Sequence, residues 1–204
     1  MLLHHSSTEK LKIRFQASQR KLHLFEKGEE IPLSDQGVWC VNHGVVQLSQ
    51  SNSLGREVLL GWGKEDNFFG LLFTSLEIFQ VKALSDVYLQ WYSVLEIEQN
   101  PQLARTILSQ TLIRHQQTEK LLAIAGLKTV EHRLTELLLL IGDCLGESLE
   151  SGKRIRVKLT HQNLADSINT TRVTVTRLLG NLQRRGLIFF DEQRYLHIKF
   201  SASA

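Results

Sequence analysis

The stretch LTHQNLADSINTTRVTVTRLLGNLQRRGLI, residues 159–188, constrains the fold more tightly than any other part of the chain. Thr160 is placed to cap a helix beginning at His161, with Leu164, Ala165 and Ile168 on its inner face. After Ile168 the helical pattern breaks, and a second helix is expected behind Thr171. Two short helices joined by about three or four residues make a helix-turn-helix, and its steric demands are specific. Ala165 is small where the two helices must approach closely. Asn169 falls where the turn needs a left-handed backbone, a conformation asparagine tolerates well. Val175, Leu178, Leu179 and Leu182 supply the inner face of the second helix.

The opposite face carries Arg172, Val173, Thr176, Arg177 and Gly180. Arg172 and Val173 lie in the first turn, the part of a recognition helix that reaches base edges. Arginine binds guanine O6 and N7 in bidentate fashion, and valine makes apolar contact with a thymine methyl. Thr160, Thr171, Thr174, Thr176 and Arg177 are expected DNA contacts of the phosphate kind, and such contacts position without specifying sequence. Gly180 would let one backbone approach another. Downstream, RRGLIFF, DEQR and YLHIKF read as a two-stranded hairpin, a wing with Arg194 near its tip and placed to contact DNA phosphate. Double-stranded DNA is the partner this pattern predicts.

The charge balance agrees. From Ser151 onward there are ten Lys/Arg against three Asp/Glu, a surplus of +7, whereas the preceding residues hold 14 basic and 18 acidic groups, or −4. A basic segment beside an acidic one suggests a polyanion-binding end. No apolar run approaches the ~20 residues needed to cross a bilayer. The opening MLLHHSSTEKLKIRF lacks the apolar core of a signal peptide. Cys40 and Cys144 are too few and too isolated for a disulfide framework, a zinc site or an iron–sulfur cluster. No membrane partner, no metal and a cytoplasmic location are therefore expected.

The first half of the chain is punctuated like a set of short strands. FEKGEEI holds a glycine turn, GVVQLSQ alternates, REVLLGWG is a short apolar run, and VYLQWYSV is rich in β-branched and aromatic residues. Such spacing predicts a sandwich or roll. Asn100-Pro101 then signals a helix start, and the helix should run to about Gly126. Within it Ala104, Leu108, Thr111, His115, Thr118, Leu122 and Ala125 alternate at spacings of four and three, the seam of paired helices. A homodimer through this seam, with a polar centre, is the expected use. Leu103, Ile107 and Leu121 should face the roll instead. A further, mostly buried helix is expected over about residues 129–145, and RIRVKL reads as a strand.

The order of β-roll, long helix and winged helix resembles the Crp/Fnr superfamily of bacterial transcription regulators. GREVLLGWGKEDNFFG and the helix-turn-helix stretch carry the resemblance, and TRVTVTRLLGNL is most similar to the cyanobacterial nitrogen regulators of the NtcA type. The resemblance implies an α+β chain with a cyclic-nucleotide-binding-like jelly roll over residues 1–99, a dimerisation helix over 100–126 and a winged-helix DNA-binding domain over 127–204. It implies RNA polymerase as a protein partner and an operator of the form GTA-N8-TAC.

The resemblance also supplies candidate effectors. Cyclic AMP is not expected, because Gly70 is followed by Leu71 and FTSLEIFQVKAL contains no arginine. For 2-oxoglutarate, Phe69, Gly70, Leu71 and Leu72 match the roll backbone that holds it, and Arg114 and Glu119 match the helix pair. The roll arginine of those regulators has no counterpart unless Lys82 substitutes, and a carboxylate clamp missing one arm is not equivalent. A weak or absent response is therefore expected, and Arg114 and Glu119 read equally as solvated helix charges.

Two rival functions remain at this level. One is a regulator of the same fold without a ligand, controlled by its abundance or by a protein partner. The other is a cupin-like metal enzyme, which needs several His or Glu ligands converging on one ion. The roll offers His43 within its strands, with His4, His5 and His23 outside them, so no enzyme is expected.

Overall fold

Alternation of apolar and polar residues pairs the N-terminal half into two antiparallel sheets, packed face to face. A computed structural model describes residues 20–51, 57–150 and 152–199. The leader reading of MLLHHSSTEKLKIRF and the histidines His4 and His5 lie outside the described residues. One sheet runs β1 (His23–Phe25), β7 (Val87–Ser93), β2 (Gly37–His43), β5 (Phe68–Phe69). The other runs β4 (Glu57–Gly63), β3 (Val46–Ser51), β6 (Phe79–Ala83). Register places Val41 opposite Leu89 and Leu48 opposite Val81, and all four are fully buried between the sheets. His23 corrects its expected place outside the strands: it lies in β1 and packs edge-on against Trp39, ring centroids 5.1 Å apart.

Ser93 and Glu96 form a capping box that starts α1 (Val94–Gln99). The long helix α2 (Pro101–Ala125) begins where Asn100-Pro101 requires it. Asn100 Oδ1 accepts from the N–H groups of Gln102 at 3.2 Å and Leu103 at 3.0 Å. Leu103 and Ile107 bury against Val38, Phe68 and Tyr92 of the roll, and Leu121 is buried further along. Helix α3 (Val130–Leu145) follows, capped by Thr129, and its Leu134, Leu137, Leu138, Ile141 and Leu145 fill the C-terminal core.

A third sheet runs β10 (Ile188–Phe190), β11 (Leu196–Ile198), β9 (Gly152–Ile155), β8 (Gly146–Leu149). Here the expected strand RIRVKL is corrected: only Arg154 and Ile155 of it are in β9, and the chain bends after them. Val157 stays buried because it joins the apolar cluster formed by the C-terminal helices, so the alternation that looked like a strand reports tertiary packing. Val45 and Trp62 of the roll belong to that same apolar cluster, which joins the two halves of the molecule.

Candidate nucleic-acid interface

The helix-turn-helix is built from α4 (His161–Ser167) and α5 (Arg172–Arg184). Thr160 Oγ1 accepts from the Asn163 N–H at 3.0 Å, and Asn163 Oδ1 accepts from the Thr160 N–H at 3.1 Å. Thr171 caps α5 by accepting from the Thr174 N–H at 3.2 Å. Asn169 has φ +52°, the left-handed geometry the turn needs. Leu164, Ala165, Ile168, Val175, Leu178, Leu179 and Leu182 are all buried. At roughly 1.5–3 kcal/mol for each large side chain, this burial fixes the angle between the helices. Arg133 of α3, which the sequence did not single out, locks the turn by donating from Nε to the Ile168 carbonyl at 3.1 Å.

Packing that face inward leaves Arg172, Val173, Thr176 and Arg177 exposed on the other. Val173 is 78% exposed. Gly180 has open space where a Cβ would stand, so a surface can approach it closely, although no other backbone does so in the free chain.

The threonines carry local duties as well. Thr176 Oγ1 donates to the Arg172 carbonyl at 2.9 Å, which spends its proton. His161 Nδ1, 2.8 Å from the same oxygen, must then be the donor in that pair. Thr171 and Thr174 hydroxyls bond each other at 2.9 Å. These hydroxyls hold the two helices in place, so any contact to a bound partner uses their remaining lone pairs and protons.

The wing is organised around Asp191. Its carboxylate accepts from the Tyr195 N–H at 2.7 Å, Arg154 Nε at 2.9 Å and His197 Nε2 at 3.1 Å. Desolvation raises this carboxyl, but the Tyr195, Arg154 and His197 hydrogen bonds outweigh it and hold it down to about 2. Arg194 sits exposed at the tip with φ +64°. Arg154 lies over the Tyr195 ring at 4.0 Å and Lys158 at 5.1 Å, while Lys199 lies over Phe189 at 5.0 Å. Sequence reasoning found Arg194 and missed these three cations, because Arg154 and Lys158 lie 41 and 37 residues from Tyr195, and Lys199 ten residues from Phe189.

A cavity of about 260 Å³ separates the roll from α2. Leu60, Phe73 and Phe79 form an apolar wall, and Thr111, Arg114, His115 and Thr118 line the helix side. Burial pulls the Arg114 guanidinium below its ordinary value, and at neutral pH the group stays charged. Its Nη2 donates to the Phe73 carbonyl at 3.4 Å, while Nη1 is buried without a hydrogen-bond partner among the described residues.

Several expected site residues are placed elsewhere. Phe69 is buried in the roll core, and Gly70, Leu71 and Leu72 stay out of the lining of this cavity. Phe69 instead borders a smaller recess on the other side of Arg114. Glu119 is exposed and pairs with His115 at 3.4 Å, because a spacing of five residues turns it well round the helix from Arg114. Lys82 lies in β6, where its backbone bridges to Glu30, and does not line the cavity.

The heptad stripe divides in the same way. Leu108 and Leu122 are 60% and 74% exposed, and Ala104 is half-buried. Thr111, His115 and Thr118, expected as the polar centre of a dimer seam, also line the cavity against the roll, while His115 and Thr118 stay exposed. A straight α-helix drifts about 20° per heptad relative to a seven-residue repeat, so the stripe slides round the helix along its length. Leu112, 56% exposed, joins Leu108 and Leu122 in an outer apolar stripe.

The two thiols offer little chemistry. Burial, with a smaller contribution from Asp66, pushes Cys40 up to about 12, and burial also raises Cys144; a raised thiol is a poor nucleophile and ligand. Among the described residues no group of three His, Cys, Asp or Glu side chains could hold a metal ion, and no helix is long and apolar enough to cross a membrane.

A capped helix-turn-helix with an outward basic face and a cation-bearing wing, carried behind a β-roll and a long helix, defines a DNA-binding transcription regulator. The Crp-like helix-turn-helix domain matches residues 132–199. A global nitrogen regulator from a Nostoc species is 30% identical over 166 residues, 77% of this chain and 74% of that protein. The regulatory protein CysR of Synechococcus elongatus is 32% identical over 162 residues, 78% of this chain and 74% of its own. A cyclic nucleotide-binding domain containing protein from Listeria monocytogenes shares the fold, with a TM-score of 0.77 at 15% identity over 95% of this chain and 98% of that one. The chain belongs to the Crp/Fnr family of transcription regulators, and cyanobacterial global nitrogen regulators are among its relatives.

Proposed function

We propose that the chain acts as a homodimer, paired through the outer stripe of α2, that binds a palindromic operator of the form GTA-N8-TAC. The cytoplasm is then where it works, and RNA polymerase is the protein partner it would meet on DNA. The observation that carries the operator reading is the pair Arg172 and Val173, both exposed in the first turn of α5 while the opposite face is buried. Arg172 selects guanine and Val173 a neighbouring thymine methyl, so each half-site contains a G-T step. Two-fold symmetry repeats that step on the other strand about one turn, ~34–36 Å, away. Selection from random DNA at a fixed salt concentration is expected to return paired G-T steps. Recovered sites without them would overturn the reading of this helix face.

The cavity beside Arg114 is proposed as the effector site. Its unpaired Nη1 edge and its apolar wall suit a small organic molecule with one anionic group. A dicarboxylate such as 2-oxoglutarate meets one permanent cation there, Arg114, and no second arginine or lysine among the lining residues, so it should change DNA affinity little. A strong response to sub-millimolar 2-oxoglutarate, abolished in Arg114→Ala, would show this expectation wrong. The same missing cation favours a second reading, a regulator governed by its abundance or by a protein partner. Full DNA affinity of the purified protein, unchanged by small anions, would support that reading.

A further inference from the structure

Gln117 of α2 stands where the roll, the long helix and the DNA-binding unit meet. Its Oε1 accepts from the Trp62 N–H of edge strand β4 at 2.8 Å, and its Nε2 donates to Cys144 Sγ of α3 at 3.0 Å. Strand β4 is shaped around this side chain. Gly61 has φ +144°, and a Cβ there would stand 2.1 Å from Gln117 Oε1. The neighbouring Thr118 hydroxyl has one proton and two acceptors for it, the Leu60 carbonyl at 3.1 Å and the Arg114 carbonyl of its own helix at 3.2 Å, so it adds a second, shared contact between residues 60–62 and α2.

The same contact extends beyond hydrogen bonds. The Trp62 ring is buried in the cluster formed by the leucines of α3, α4 and α5. Arg156 Nη1 reaches Glu65 of the roll at 3.2 Å. Yet Trp62 Nε1 is buried without a hydrogen-bond partner among the described residues. A buried donor left unpaired makes a contact less favourable than its apolar area suggests. Leu60 and Thr118 also line the cavity beside Arg114, which puts their contact within reach of whatever fills it.

We propose that Gln117 is a positioning residue that couples the roll to the DNA-binding unit, fixing α3 and the recognition helix relative to α2. Two recognition helices joined through α2 bind one palindrome only while each is held at the half-site spacing. A unit that swings free keeps its affinity for a single half-site and loses the gain from linked binding. This last consequence rests on the homodimer reading above, whereas the junction itself can be tested without DNA.

The chain carries two cysteines, and half-buried Cys40, whose thiol is held well above its ordinary range by burial, serves as the reference for Cys144. In Gln117→Leu, iodoacetamide should label Cys144 severalfold faster than in the parent protein, with Cys40 unchanged, as read by peptide mass spectrometry. Cys144→Val removes only the α3 end of the bridge, whereas the hydroxyl of Cys144→Ser still accepts from Gln117. Cys144→Val is expected to lose about tenfold in affinity for a full palindrome and nothing for a half-site, and Cys144→Ser to retain both. Equal behaviour of the valine and serine variants would overturn the proposal, as would parent-like labelling of Cys144 in Gln117→Leu. A parent protein that prefers full sites no more than half-sites would instead defeat the homodimer reading, and the labelling rates would still decide the junction.

Discussion

Replacing Leu108 and Leu122 together with glutamate is expected to turn the protein into monomers and to cut its affinity for a full palindromic site by about 10²–10⁴-fold. The two leucines are 60% and 74% exposed along one side of α2, with Leu112 between them. Burying each against a second copy would contribute roughly 1.5–3 kcal/mol. The neighbouring His115–Glu119 pair is solvent-exposed, and exposed i,i+4 pairs contribute only about 0.3–0.5 kcal/mol. Apolar burial would therefore decide the proposed pairing, and glutamates at both positions would oppose it by placing like charges across the seam. Neither leucine packs into its own chain's core, so the variant should unfold near the parent temperature. Sedimentation at micromolar concentration, with binding to full and half-sites, measures both effects. A parent protein already monomeric at that concentration would sink the idea.

Truncating Arg172 to alanine should cost about 1–3 kcal/mol on the preferred operator and relax the preference at the guanine. The helix itself should survive the change, because the Thr176 hydroxyl bonds the backbone carbonyl of Arg172 and not its side chain. Arg177, on the same exposed face but one turn further along, should behave differently. If its role is to hold phosphate, Arg177→Ala weakens binding to all sequences alike and lowers the salt slope by about one. Titrations against the preferred site and a guanine-substituted site, at several salt concentrations, separate the two roles. An Arg172→Ala protein that loses affinity equally on both sites would show that this arginine positions and does not read.

What the sequence determined by itself was local. Thr160, Thr171 and Asn100 cap helices because each side chain reaches N–H groups two or three residues ahead. Asn169 takes the left-handed turn, and the leucines of α5 bury on one face, because both follow from neighbours within a single turn. The exposure of Arg172, Val173, Thr176 and Arg177 was legible for the same reason: burying one side of a short helix exposes the other.

Tertiary structure decided which side of the long helix each residue serves. A four-three repeat names a stripe but not its partner: Thr111, His115 and Thr118 line the cavity against the roll, whereas Leu108 and Leu122 stay exposed. Glu119 was separated from Arg114 by helical phase, and RIRVKL lost its strand to the bend that buries Val157. The bridge from Trp62 through Gln117 to Cys144 joins residues 55 and 27 positions apart. No periodicity records such a contact, because its bonds form only after three separately folded elements have packed together.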